Sequence, residues 1–566
     1  MTCQNSHEVC DATQKSEHDE RETNDLQRPL VTVAQGQIEG LWLETDNRPL
    51  ATFRGIPFAA PPVGSLRWAP PQKPAGWTGI RDGSQFGARA MQNTAPSAFT
   101  KSMIERHGWP ADKTRRALDK FEALPQLPIS EDCLFLNVTT PDIAITKPLP
   151  VMVWIHGGSH QSGTGSLAAY QSLTLPAEGV VLVTINYRLV VFGYMAHPRL
   201  SESDPNGVSG NYGILDQIAA LEWVAANISA FGGDPGNVTI FGQSAGAQAV
   251  SELMASPLAD GLYHKAILQS GVYSWNPVRL KNGFRGHPSG EQMGANFISK
   301  NNLAAPEANA DDLRNIKAED LLQAALTDPD HLGVFLPLAD GHVQPLRVWQ
   351  KIHDKKMAPV PILLGYNSDE GSLFYQWYNR PTRFDYEFPD EPGARLTRLR
   401  QVFGAHADSL IAEYGLDNWQ NRQQAETDML GDDSYGVHTR LLADSHADRG
   451  LPVWIYQFRR KPASPDQTID AYHAAEIPFV FDLHGAIPLS ASDRAITDHM
   501  TCYWLNFAKS GSPNGPGLTN WPAYSSTQKT WLIFNDDIHT EEHVRKTKLD
   551  ALESGLQKIM TGETGD

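Results

Sequence analysis

A serine pinched between two glycines, Gly242-Gln243-Ser244-Ala245-Gly246, sits where one kind of secondary structure must give way at once to another. Upstream, Asn237-Val238-Thr239-Ile240-Phe241 is β-branched and apolar, which predicts a buried strand; downstream, Ala247 to Met254 predicts a helix. A strand that becomes a helix over so few residues needs a tight, strained corner, and the glycines flanking Ser244 permit one. Such a corner lifts the hydroxyl clear of the sheet and aims the unpaired N–H groups of the helix start at the same point. Attack by an oxygen, and accommodation of the negative charge that follows, both suit that geometry. The five letters alone are weak, because glycine and serine are common; the strand–turn–helix context carries the reading.

The rest of the chain keeps the same rhythm. Strand-like runs occur at Pro150–Ile155, Val180–Ile185, Val238–Phe241, Lys265–Leu268, Val360–Leu364 and Val453–Phe458, with helical segments such as Leu215–Val224 between them. Continuous apolar strands alternating with helices predict an α/β fold, a large and mostly parallel sheet covered on both faces. The opening runs Leu30–Val33, Gln37–Gly40 and Ala51–Phe53 are punctuated by glycine and predict an antiparallel edge to that sheet. Two stretches, about 276–345 and 380–450, lose the strand rhythm; they are expected to form cap-like helical insertions over the sheet's C-terminal edge, where α/β sites lie. Residues 1–28 are polar and charge-rich, so a disordered tail is expected there, with 29–566 forming a single domain.

Composition narrows the partners. With 47 basic against 65 acidic residues the net charge is −18, which argues against a nucleic-acid partner. No run approaches the ~18 consecutive apolar residues of a membrane span. The first residues lack the apolar core of a signal peptide, so a cytoplasmic protein is expected. Cys3, Cys10, Cys133 and Cys502 are too few and too scattered for a disulfide framework or a metal knuckle, and neither metal nor cofactor is expected.

An activated serine needs a base, and the base needs a group to orient it. The run Val360–Leu364 leads into Gly365-Tyr366-Asn367-Ser368-Asp369-Glu370-Gly371, where a carboxylate just past a strand suits the orienting role; Asp369 and Glu370 are both candidates, and a solvated acidic turn is the plainer reading. For the base, His473 in Ala471-Tyr472-His473-Ala474-Ala475-Glu476 follows Val453–Phe458 and precedes an apolar segment that would anchor it; His484, His499, His539 and His543 are rivals. A strand ending in His156-Gly157-Gly158 supplies flexible backbone N–H groups for an oxyanion, although a plain glycine turn would look the same.

At this point a resemblance covers nearly the whole chain from about residue 30 to 535. It is carried by Phe53-Arg54-Gly55-Ile56-Pro57-Phe58-Ala59, Ser130-Glu131-Asp132-Cys133-Leu134-Phe135-Leu136-Asn137, Asn186-Tyr187-Arg188-Leu189, Gly210-Asn211-Tyr212-Gly213, Phe231-Gly232-Gly233-Asp234-Pro235 and Trp504-Leu505-Asn506-Phe507-Ala508. The chain resembles the type-B carboxylesterase family of α/β-hydrolases. The resemblance implies a serine carboxylic-ester hydrolase working through an acyl-enzyme on a small-molecule ester, with Ser244, Glu370 and His473 as its catalytic residues. It favours Glu370 over Asp369, and it implies that the backbone N–H groups of Gly158, Ser159 and Ala245 form the oxyanion hole. A carbamate or amide hydrolase using the same residues, and a catalytically silent binding protein on the same fold, are the rival readings.

Three departures from the family pattern stand out. The loop that holds a cysteine in many secreted members reads Phe86-Gly87-Ala88-Arg89-Ala90-Met91-Gln92, so Cys133 is expected to be a free, buried thiol. Gln243 stands where glutamate is frequent, which removes a negative charge near the expected base. Ser159 and His160 replace glycine and phenylalanine; His160 and Gln243 are therefore possible substrate contacts, with a preference for polar or anionic acyl groups expected if His160 faces the substrate and none if it packs beneath the cap.

Overall fold

Val151-Met152-Val153-Trp154-Ile155 is apolar without a break, and in the computed structural model it is buried on both faces in the interior of an 11-stranded sheet. The structure describes residues 26–561 apart from 46–47, 96–97, 124–126, 145, 273–277, 284–287, 329–334, 347, 379–387 and 485–488. Most of the expected tail, with Cys3 and Cys10, and parts of both expected insertions therefore lie outside the described residues.

We number the strands of the large sheet along the chain: β1 Leu41–Leu43, β2 Leu50–Pro57, β3 Phe135–Thr140, β4 Leu149–Ile155, β5 Val181–Ile185, β6 Gly233–Gln243, β7 Lys265–Gln269, β8 Ile362–Asn367, β9 Val453–Phe458, β10 Thr530–Phe534 and β11 Ile538–Glu542. Their spatial order is β1-β2-β3-β5-β4-β6-β7-β8-β9-β10-β11. From β5 through β10 every neighbouring pair is parallel, whereas β1, β2, β3 and β11 pair antiparallel at the flanks. The alternation of side chains across the sheet divides the core in two. Val151, Val153 and Ile155 of β4 join one apolar cluster, while Met152 and Trp154 join the other; Ile362 and Leu364 of β8 face the first and Leu363 the second. Helix α1 (Tyr212–Asn227) packs into the first layer and helix Ala491–Ser510 into the second.

The opening strands depart from expectation. Leu30–Val33 and Gly36–Glu39 do pair antiparallel, but together with Ile80–Asp82 they make a separate three-stranded sheet. Gly40 allows the step between the two sheets: any Cβ there would overlap the carbonyl oxygen of Thr52. Strands β1, β3, β10 and β11 are not among the expected strands. Buried Asn137, Thr139 and Thr140 interrupt the apolar pattern of β3, and β11 is a part-exposed edge strand ending in two glutamates, the charged composition that protects an edge from further pairing. Helices Gly290–Lys300, Ala310–Arg314 and Ala318–Thr327 follow β7, and a longer helical run from Pro392 to Ala447 separates β8 from β9.

Candidate active site

Ser244 lies between the end of β6 and helix α2 (Ala245–Ala255), with φ 56° and ψ −127°. That backbone is costly for a residue with a side chain and is held because its surroundings fix it. The N–H of Ser244 donates to Gln269 O at 2.9 Å, on the neighbouring strand β7. The flanking glycines are required by contact. A Cβ on Gly242 would lie 2.5 Å from the carbonyl carbon of Gly246, and one on Gly246 would overlap Ile155 O at the end of β4. Among the described residues the Ser244 hydroxyl, which is part-exposed, makes no hydrogen bond.

Downstream of β8 the chain presents Glu370 buried, at 1% exposure. Its Oε2 is 2.5 Å from His473 Nδ1, and its Oε1 accepts the N–H of Asn367 at 2.7 Å. Asp369 does not touch His473; its carboxylate accepts the N–H of Asp470 at 2.9 Å, and burial pushes it up to about 6. The two adjacent acids thus do different work. Glu370 meets the imidazole, and Asp369 ties the acid loop to the histidine loop, a tie doubled by its N–H donating to Ala471 O at 3.0 Å. The other late histidines have other partners: His484 contacts Thr497, His499 contacts Ala495 O, and His539 lies between Asp537 and Glu541. His543 sits in an exposed turn past β11.

With the Nδ1 proton directed at Glu370, the Nε2 of His473 is an acceptor, and the side-chain amide of Gln243 donates to it at 3.2 Å. Gln243, expected to stand near the base, therefore touches the imidazole itself. Two further residues escaped sequence reasoning. Asn367 Nδ2 donates to Tyr472 O and to Glu476 Oε2, both at 2.7 Å, joining the acid and histidine loops from beneath. Glu476 is fully buried; burial, and after it the charge of Glu370, pushes its carboxyl up. Around the imidazole stand Phe374, Phe99 and Tyr435, brought from distant parts of the chain, with ring centroids at 4.9, 6.0 and 5.0 Å. No local pattern announces such ring contacts.

The loop after β4 passes beside the serine: a Cβ on Gly157 would lie 3.1 Å from the Cβ of Ser244. Gly158, Ser159 and His160 have φ of 110°, 56° and 58°, so two residues with side chains are held in the left-handed region. Bracing is dense. Gln161 and Ser162 N–H groups both donate to Gly158 O, Val190 N–H donates to His160 O, and the Tyr187 hydroxyl donates to His156 O. Among the described residues the N–H groups of Gly158, Ser159 and Ala245 have no acceptor, which leaves them available to an oxyanion.

His160 does not meet the expectation of a polar substrate contact. It is 1% exposed, packs edge-on against Tyr194 and Tyr187, and its Nδ1 lies 3.0 Å from the Tyr194 hydroxyl. Burial pushes it down to about 3, so it is a neutral ring within an aromatic box with no charge to offer an anionic acyl group. Ser159, by contrast, is exposed.

A largely parallel sheet flanked by helices on both faces, with a serine at the strand–helix corner of its middle strand, defines an α/β-hydrolase. The model of the Carboxylesterase family matches residues 27–552, and the chain belongs to that family. Among curated relatives it is 34% identical over 500 residues to fumonisin B1 esterase of Sphingopyxis macrogoltabida, covering 86% of this chain and 83% of that protein. It is 32% identical to para-nitrobenzyl esterase of Bacillus subtilis (strain 168), with 92% and 97% covered. Among solved structures, a PNB esterase superposes with TM-score 0.74 at 30% identity over 93% of this chain and 99% of its own. A carboxylesterase of Geobacillus stearothermophilus gives the same score at 30% identity, with 93% and 100% covered. The protein is a serine carboxylic-ester hydrolase.

Proposed function

We propose that Ser244, His473 and Glu370 perform the hydrolysis, with Gly158, Ser159 and Ala245 as the oxyanion hole. The contact between His473 Nδ1 and Glu370 Oε2, set beside the strained serine corner, carries this reading. Ser244 Oγ attacks the ester carbonyl as His473 Nε2 takes its proton, for which the Gln243 amide must give way. The carbonyl oxygen gains the negative charge and the three backbone N–H groups receive it. His473 then passes the proton to the leaving alcohol, and an acyl-enzyme remains on Ser244. Water, deprotonated by the same imidazole, releases the acid. Glu370 holds the Nδ1–H tautomer throughout and stabilises the imidazolium.

The substrates are small-molecule esters. The segments on either side of β8 border the site: Gln161 Nε2 in the oxyanion loop donates to Phe335 O, in an irregular stretch between β7 and β8, and Tyr435 in the helical run between β8 and β9 faces His473. A reducing, intracellular setting fits the unpaired, fully buried thiol of Cys133.

Hydrolysis of p-nitrophenyl acetate tests the assignment. Ser244→Ala is expected to abolish turnover in a folded protein. Glu370→Gln is expected to lower kcat by about 10⁴-fold, as loss of the orienting acid does in a serine triad, while Asp369→Asn stays close to wild type. The reverse order of the two acid variants would make Asp369 the orienting group.

A further inference from the structure

The helical run before β9 is not a continuous α-helix. Helix α3 (Arg422–Gly431) passes into a π-turn, Asp432–Gly436, before helix α4 (Val437–Ala447) begins. A π-turn adds a residue to one turn, re-aims its side chains, and recurs at functional positions. This one is pinned from outside. Asp432 accepts from the hydroxyls of Tyr414 at 2.6 Å and Tyr366 at 3.1 Å, and from the Arg545 guanidinium at 2.6 and 2.8 Å. Gly436 admits the Tyr366 hydroxyl, since a Cβ there would lie 2.9 Å from it. At its start the turn lies on the acid loop: a Cβ on Gly431 would be 3.3 Å from the Cβ of Glu370. The side chain this arrangement delivers is Tyr435, half-buried, its ring 5.0 Å from the His473 imidazole and inclined to it by only 26°.

We propose that Tyr435, set by the π-turn, is a positioning residue that fixes the plane of the His473 ring. The proposal rests on His473 acting as the base. Once the Gln243 amide has given way at Nε2, the one hydrogen bond from Nδ1 to Glu370 fixes a point and a direction but leaves the ring able to swing about that line, carrying Nε2 away from Ser244. A near-parallel ring on one face removes the swing, and Phe374 at 63° and Phe99 at 87° close the other approaches edge-on. The face of an aromatic ring is electron-rich, so the stack also favours the imidazolium formed when the serine proton is taken. Both effects act on the chemical step and neither depends on which ester is bound.

A tyrosine that merely lined the pocket would behave differently, because its removal would alter KM by an amount set by the size of the acyl group. The test compares Tyr435→Leu, Tyr435→Phe and Ser244→Ala on p-nitrophenyl acetate and p-nitrophenyl butyrate, with the unfolding midpoint of each variant measured alongside. Tyr435→Leu is expected to lower kcat about tenfold for both esters with KM little changed, the loss corresponding to one stacked ring–cation contact. Tyr435→Phe keeps the ring and is expected to retain most of kcat. If the leucine variant does not fold, Tyr435→Met replaces it and carries the same expectation. Unchanged kcat, or a KM effect that differs between the two esters, overturns the proposal. Activity surviving in Ser244→Ala would instead overturn the catalytic assignment on which it rests.

Discussion

Ser159 shows at the scale of one residue what the site demands of its backbone. Its φ of 56° would suit glycine, and a left-handed residue with a side chain costs roughly 1–2 kcal/mol. The braces from Val190, Tyr187 and Gly158 O hold the loop there regardless. Ser159→Gly is expected to raise stability by about 0.5–1 kcal/mol, the relief of strain less the extra freedom glycine brings to the unfolded chain. The substitution keeps the N–H and should leave kcat near wild type. A urea midpoint measures the first and turnover of p-nitrophenyl acetate the second; a clear loss of stability would mean that the serine side chain supports the loop. The strand–helix corner at Ser244 was legible in the sequence from its context, whereas Glu370 beside Asp369, and His473 among the late histidines, were set apart there only by the family resemblance. The burial of His160 was not legible, since Tyr187 and Tyr194 close over it from a separate segment. Gln243 was read as the loss of a charge, and its contact with the imidazole emerges only when β6 and the histidine loop are brought together.

The element that most needs holding is the pair of loops after β8 and β9, which must meet for Glu370 to reach His473. Asn367 joins them from below and Asp369 from the side. Asp369 supplies this clasp at a cost. Burial raises its carboxyl from 3.8 to about 6, so the folded chain retains a proton that the unfolded chain has already released. Stability from this group is therefore greatest below about pH 4 and falls as pH rises to about 6. Above that, the buried carboxylate costs up to about 3 kcal/mol. Asp369→Asn keeps an acceptor for the Asp470 N–H and removes the charge. It is expected to unfold at a higher temperature than wild type at pH 8, with the advantage gone at pH 4. A variant less stable than wild type at pH 8 would show that attraction to Arg106 outweighs burial. Of the elements themselves, strands β4 to β9 were legible from their mostly apolar runs, because burial on both faces of the sheet interior admits little else. The polar edge β11 and the hydroxyl-rich β3 were not, since pairing partners rather than local composition make them strands. The π-turn left no mark either; its first residue, Asp432, is held by Tyr366, Tyr414 and Arg545 from three other parts of the chain.

Over the whole molecule, cohesion comes from two apolar layers on one sheet and from ion pairs that bind the last helix, Lys546–Thr561, to the body. Arg440 meets Asp550 and Glu553, and Lys548 meets Asp428. Disulfides play no part among the described residues. Cys133 is buried, and burial pushes its thiol well up, which leaves it a poor nucleophile as well as unpaired. The melting temperature is accordingly expected to be the same with and without dithiothreitol, and a fall of more than a few degrees would reveal a bond that supports the fold. The parallel interior of the sheet and its helical cover could be foreseen from rhythm alone; the separate sheet of Leu30–Val33, Gly36–Glu39 and Ile80–Asp82 could not, because its third strand arrives from well down the chain. The proposed role of Ser244 as the activated oxygen is tested most directly by a covalent measurement. Treated with diisopropyl fluorophosphate at neutral pH, the protein should take up one phosphoryl group per chain on Ser244, located by peptide mass mapping, with esterase activity lost in step. Activity lost while Ser244 stays unlabelled, or a label that maps to another residue, would contradict the account.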